Sequence, residues 1–247
     1  MRRYLATLGM LAMTASLCLP ASANENADEL GYREDTQITE GPDQDFCPGA
    51  LLIQNDDGSF ENGYAWRTFG VAPPDYGSWA ECYEAEYVCG IELMLTQVGY
   101  FFDQEMDVYV WDAMLDGDPP PGPDPGNVLC VLPGVVPDPP AMWPDISAHD
   151  YQVCCATEGL HFVGYWPNWP GLGSGWYTAA DETGPALGCP RTKIAPGIGY
   201  TTGWNHVTVV PTFGGCQNLG IREYAGLGDC EPTPAQSTSW GKIKSFY

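Results

Sequence analysis

Apolar and polar residues alternate with a period of two along much of this chain. In residues 91–98, Ile91, Leu93 and Leu95 fall on one side, with Glu92 and Thr96 on the other. In residues 106–111, Met106, Val108 and Val110 alternate with Asp107, Tyr109 and Trp111. Successive side chains of a strand point to opposite faces, so this rhythm predicts strands with one face inward. Further short apolar or aromatic runs occupy 50–54, 64–70, 128–132, 147–153, 160–166, 176–180, 205–210 and 219–224. Clusters of Gly, Pro, Asn and Asp separate them and supply turns. Two stretches, 116–127 and 133–144, are rich in proline and read as stiff connections between strands. With 30 Gly and 23 Pro in 247 residues, long helices are excluded. The fold class is all-β: an antiparallel, two-sheet β-sandwich.

The first 23 residues stand apart. Arg2 and Arg3 precede a mostly apolar, uncharged stretch from Leu5 to Leu19, and Ala21-Ser22-Ala23 ends it with small residues. This is the layout of a cleavable secretory signal peptide. Leu17 lies next to Cys18 rather than three residues before it, which disfavours lipidation there. No second apolar stretch approaches the roughly 20 residues that span a bilayer. The domain reading is therefore a signal peptide at 1–23, a flexible acidic leader at 24–45, a β-sandwich at 46–231, and a linker with a C-terminal tail at 232–247.

Export changes how the cysteines read. Of the ten, Cys18 lies in the signal stretch; Cys47, Cys82, Cys89, Cys130, Cys154, Cys155, Cys189, Cys216 and Cys230 remain. Outside the cytoplasm these are disulfide candidates. The pairs nearest in sequence, Cys82 with Cys89 and Cys216 with Cys230, are the first choices, although spacing alone does not fix connectivity. Cys154 and Cys155 are neighbours and would face opposite ways on a strand, so they call for different partners. Their spacings do not match the short intervals of a zinc site.

Charge narrows the partners. The chain has 32 acidic and 9 basic residues, a net charge of −23. No Lys or Arg occurs between Arg67 and Arg191. Such a field repels phosphate, which excludes nucleic acid and disfavours anionic membranes. Carboxylates are the ligands that calcium prefers. Asp56, Asp57, Glu61 and Asn62, around the turn at Gly58, are the candidate calcium ligands. The same residues also suit a solvated turn.

The usual catalytic sets are incomplete. Ser174 sits in Gly-Ser-Gly, but Leu172 stands where a nucleophile elbow needs glycine. His149, His161 and His206 are scattered. Trp143, Trp166, Trp169 and Trp176, with Tyr165 and Tyr177, form an aromatic-rich segment. Trp166, Tyr165, Trp176 and above all Trp169, in the turn Pro-Asn-Trp-Pro, are the candidate glycan-stacking residues. The competing role for each ring is core packing.

The runs 106–112, 125–129, 162–166 and 176–181, with the opening Asp-Asp-Gly-Ser-Phe-Glu-Asn-Gly-Tyr at 56–64, resemble jelly-roll modules of secreted bacterial proteins. The similarity spans about residues 47–225. It implies a jelly-roll sandwich and an extracellular or cell-surface location, not an activity. A glucan-hydrolase branch of the jelly rolls carries Glu-x-Asp-x-x-Glu. Here Glu105 and Asp107 begin that pattern, and Val110 stands where the last Glu belongs. The tail, with Trp240, Ile243 and Tyr247 beside Lys242 and Lys244, resembles the short C-terminal tails of exported bacterial proteins, which implies a sorting or docking tag. Together these readings favour a non-catalytic structural or interaction module whose partner is an extracellular glycan or surface protein. A glycan-binding module with a structural calcium is the alternative, and an acid-catalysed glycosidase ranks below it.

Overall fold

The computed structural model describes residues 26–40, 46–47, 49–99, 104–114, 122–169 and 175–226. The signal stretch and the tail lie outside these residues. The described chain is β throughout, with no α-helix. The first strands are β1 (Ala27–Glu29), β2 (Gln37–Thr39), β3 (Leu51–Ile53), β4 (Asn62–Trp66) and β5 (Trp79–Gln97). Then come β6 (Met106–Met114), β7 (Asp124–Val135), β8 (Ala141–Met142), β9 (Asp145–Pro167) and β10 (Tyr177–Asp181). The last are β11 (Arg191–Ile194), β12 (Gly203–His206), β13 (Asn218–Leu219) and β14 (Ile221–Gly226). Two 3-10 turns, Val207–Val209 and Pro211–Phe213, follow β12.

All fourteen strands share one hydrogen-bonded network with the central order β1-β4-β10-β5-β9-β6-β7. Every pairing is antiparallel except β2 with β9 and β5 with β8. The two long strands make this network into two layers. Trp79, at the start of β5, pairs with Tyr165; Leu95, near its end, pairs with Thr178. Straight, that length of strand would span about 50 Å. Yet the Tyr165 hydroxyl lies 2.8 Å from Thr178 Oγ1. The β5–β9 ribbon therefore folds back on itself. Register shifts between Ala85 and Tyr87 and between Val88 and Gly90 mark the bend. Gly90 lies under the ring of Phe46, in space that a Cβ would fill.

One layer holds the first half of β5, the second half of β9, β6, β7, β11 and β12. The other holds the remaining halves with β14, β3, β10, β4 and β1. Between them lies the main core, including Trp79, Tyr83, Val110, Val163 and Tyr165 from one side and Tyr64, Ile91, Leu93, Val153 and Ile221 from the other. Two smaller clusters cover the outer faces: Phe60, Met94, Ile146 and Ala179 on one, Ala80, Trp111 and Phe162 on the other. Gly164 sits at the tightest strand contact, where a Cβ would collide with the Trp79 carbonyl. Gly164→Ala should cost about 1–3 kcal/mol through forced backbone movement. Equilibrium urea unfolding checks this, and an unchanged midpoint would refute it.

The 24–45 segment departs from its expected role. Residues 26–40 carry β1 and β2 rather than a flexible leader. β1 pairs with β4 and β2 with β9, and Asn62 Oδ1 accepts the backbone N–H groups of Leu30 and Gly31. These acidic residues lack an apolar rhythm because they edge the sheet, where backbone pairing holds them and only Ala27 and Ile38 pack on the core clusters.

The disulfides also differ from the sequence choices. They join Cys47 to Cys89, Cys82 to Cys189, and Cys130 to Cys155. Cys82 and Cys89 lie on the same strand. Each is bonded to a different, sequence-remote cysteine, Cys82 to Cys189 and Cys89 to Cys47. Cys216 is a buried free thiol, which removes its pairing with Cys230, a residue outside the described ones. Cys154 is also oxidised, to a partner outside the described residues, so it and Cys155 do take different partners.

Candidate functional site

The four aromatics chosen for glycan stacking belong to the interior. Trp169 is 5% exposed and Trp176 2% exposed; their rings meet edge to face at 4.7 Å. Tyr165 is fully buried, and Trp166 donates its indole N–H to the Tyr76 carbonyl at 3.0 Å. The Trp169 ring, expected to be exposed, lies back against Trp176, and Gly175 leaves room for it.

The calcium cluster is likewise a brace, with Asp56, Glu61 and Asn62 buried and Asp57 exposed. Asp56 takes a forked pair of hydrogen bonds from Arg222, at 2.9 and 2.6 Å. Asp57 Oδ1 accepts the backbone N–H and hydroxyl of Ser59. Glu61 lies 2.8 Å from Ser59 Oγ and accepts the Glu182 N–H, and Asn62 clamps the β1 end. Their oxygens are turned to different protein donors rather than to a common centre. Among the described residues, one set of three acidic, Cys or His ligand atoms lies within 4.8 Å of one another: Glu81, Cys82 and Cys189. Its two sulfurs are bonded to each other.

Several buried polar groups carried no sequence signal, and each joins strands. Glu81 is fully buried and accepts the N–H groups of Cys189, Cys82 and Leu219. Burial pushes its pKa up to about 7, against those three donors. Asp181 and Asn218 hydrogen-bond each other and gather the N–H groups of Thr183, Gly184, Leu187 and Gly188. His161 and Glu223, both fully buried, meet across the two layers at 2.6 Å.

A hydroxyl–imidazole pair lines a cleft of about 480 Å³ between the β9 edge and the segment 136–139. Ser147 Oγ lies 2.8 Å from His149 Nε2. The distance suits a nucleophile and its base, but the chemistry does not. Burial pulls the His149 pKa down to about 4, with Asp138 opposing only in part. Such an imidazole is a poor proton acceptor near neutrality. Ser147 Oγ also accepts the Ala141 N–H at 2.9 Å, a structural bond.

His149 and Glu81 act oppositely on stability. His149 folds as the neutral form, so its contribution is present above pH 6.5 and is lost as pH falls toward 4. Glu81 folds as the protonated form, so its contribution is present below pH 4.5 and is lost as pH rises through about 7. Over the shared window the two slopes offset each other. His149→Gln should therefore steepen the loss of stability with rising pH by about 1.4 kcal/mol per unit. Unfolding free energies at four pH values across this window test it; parallel profiles for variant and wild type would refute it.

The remaining candidate is a surface on the outer face of the β11–β12–β6 layer. β11 and β12 register Lys193 against Trp204. Lys193 Nζ reaches both carboxylate oxygens of Asp75, at 2.7 and 2.8 Å. It also sits 5.7 Å from the ring centroids of both Tyr76 and Trp204. Tyr109 stacks on Trp111 at 4.9 Å, and Trp204 meets Trp111 edge-on at 5.2 Å. Burial raises the Tyr109 pKa, the charges of Asp107 and Asp75 add to it, and its hydroxyl donates to Asp107 Oδ2 at 3.3 Å. Tyr76, Tyr109 and Trp204 stay partly exposed, unlike the four aromatics chosen from sequence. The available signal was the rarity of basic residues: every described Arg and Lys has an acidic partner, and Lys193 alone sits between two aromatic rings.

No family model, curated protein or solved structure matches the chain. Among the described residues no helix is long and apolar enough to cross a membrane.

Proposed function

We propose that this chain is an exported, disulfide-braced β-sandwich that works outside the cytoplasm as a structural and interaction module without a reaction centre of its own. The observation that carries this reading is how the buried ionisable groups are used. Glu81, Asp181, Arg222 and the His161–Glu223 pair each hold one strand or loop to another. Groups already committed in this way stabilise a scaffold; catalysis needs groups left free for a substrate. The oxidised cysteines add support, since such cross-links persist in oxidising compartments. The signal stretch, the jelly-roll resemblance and the 232–247 tail as a sorting or docking tag belong to the same proposal.

Fractionation of cells producing the full chain, beside a version ending at residue 231, tests it. The full chain should be found oxidised outside the cytoplasm, held at the surface, and the truncated form should be released. A reduced protein in the cytoplasm, or the turnover of a substrate abolished by one substitution, would overturn the reading.

A further inference from the structure

We infer that the surface formed by Asp75, Tyr76, Tyr109, Lys193 and Trp204 is a binding site for a neutral saccharide. The inference rests on the interaction-module reading and gives it a ligand class.

A sugar ring offers apolar C–H faces and a rim of hydroxyls that both donate and accept. A matching site pairs partly exposed aromatic rings with hydrogen-bonding groups whose capacity is not used up. Both are present here. Trp204 and Tyr109 hold fixed orientations because each packs on the buried ring of Trp111. Lys193 is anchored by two bonds to Asp75, and an ammonium has three N–H donors, so one remains. Each Asp75 oxygen accepts from Lys193 and keeps further lone-pair capacity. Among the described residues, the Tyr76 hydroxyl and the Trp204 indole N–H have no hydrogen-bond partner. Neither atom is among the buried unpartnered ones, so both are open to solvent. Trp66 and Trp166, by contrast, donate their indole N–H within the protein.

Charge selects the class. The Lys193–Asp75 pair is neutral, and it lies on a molecule of net charge −23. Acidic polysaccharides would be repelled, whereas neutral ones are indifferent to that field. A surface held rigid before the ligand arrives also loses little entropy on binding.

The test is a titration of the intact oxidised protein with neutral cello-, xylo-, manno-, laminari- and chito-oligosaccharides, read by calorimetry and tryptophan fluorescence. At least one should bind saturably, with an affinity unchanged between about 0.05 and 0.5 M salt. Trp204→Ala should weaken it about ten-fold or more. Tyr76→Phe removes one hydroxyl only and should weaken it several-fold, which keeps the test valid where Trp204→Ala unfolds. Absence of binding to every neutral series would overturn the site, as would binding that neither variant alters. Release of shorter products from a bound oligosaccharide would instead overturn the non-catalytic reading and leave the site in place.

Discussion

His161→Leu is expected to lower the unfolding free energy by about 3–5 kcal/mol, and adding Glu223→Leu should restore most of it. The two residues face each other from opposite layers, His161 on β9 and Glu223 on β14. His161 Nδ1 donates to the Gly159 carbonyl at 2.7 Å, so the proton on Nε2 is the one shared with Glu223. Removing the imidazole strands a fully buried carboxylate. Its other oxygen, Oε1, already has no partner among the described residues. Replacing both residues removes the desolvation cost along with the pairing, and leucine refills the space. Burial alone would lower the His161 pKa, but the Glu223 carboxylate and the Gly159 carbonyl more than reverse this and raise it. The sign follows from that direction. The pair's contribution is present below pH 6.5 and is lost as pH rises through the raised value. Denaturant unfolding of both single variants and the double variant measures the coupling. Singles within about 1 kcal/mol of wild type would contradict the cross-layer role.

The second large effect belongs to the disulfides. Replacing Cys82 and Cys189 by alanine should cost about 5 kcal/mol, because their bond closes a loop of 107 residues. The Cys130–Cys155 bond closes only 25 and should be worth about 3.5 kcal/mol, with Cys47–Cys89, at 42, between them. Losing the Cys82–Cys189 bond also loosens the segment whose Cys189 N–H binds Glu81. Melting temperatures of the three double-alanine variants give the order. A Cys82/Cys189 variant as stable as wild type would refute the ranking.

The all-β class was legible because inward positions on β6 and the second half of β5 are aliphatic and alternate without interruption. The first half of β5 was hidden, since Glu81 occupies an inward position and breaks the apolar phase. Only its three backbone donors, brought from Cys82, Cys189 and Leu219, make that position tolerable, and two of them are remote in sequence. The β9 strand reads as two runs, 147–153 and 160–166, because the bend lies between them and its residues alternate poorly. Arg191, at the head of β11, is buried beside Asp124 at 2.6 Å, another long-range pairing with no local mark. The burial of the aromatics chosen from the sequence has a related reason. The densest run of Trp and Tyr fills the core, whereas Tyr76, Tyr109 and Trp204 come from three separate loops and strands. Only the long-range strand pairing within one layer and the β11–β12 hairpin bring them together.

Peptide mapping of the purified protein under non-reducing conditions tests the folded-back, cross-linked sandwich most directly. The account predicts linked peptides for Cys47–Cys89, Cys82–Cys189 and Cys130–Cys155, with Cys216 recovered as a thiol after denaturation. A Cys82–Cys89 or Cys216–Cys230 link in the native protein would contradict it, because Cys82 and Cys89 are each joined to another cysteine and Cys216 is a buried thiol.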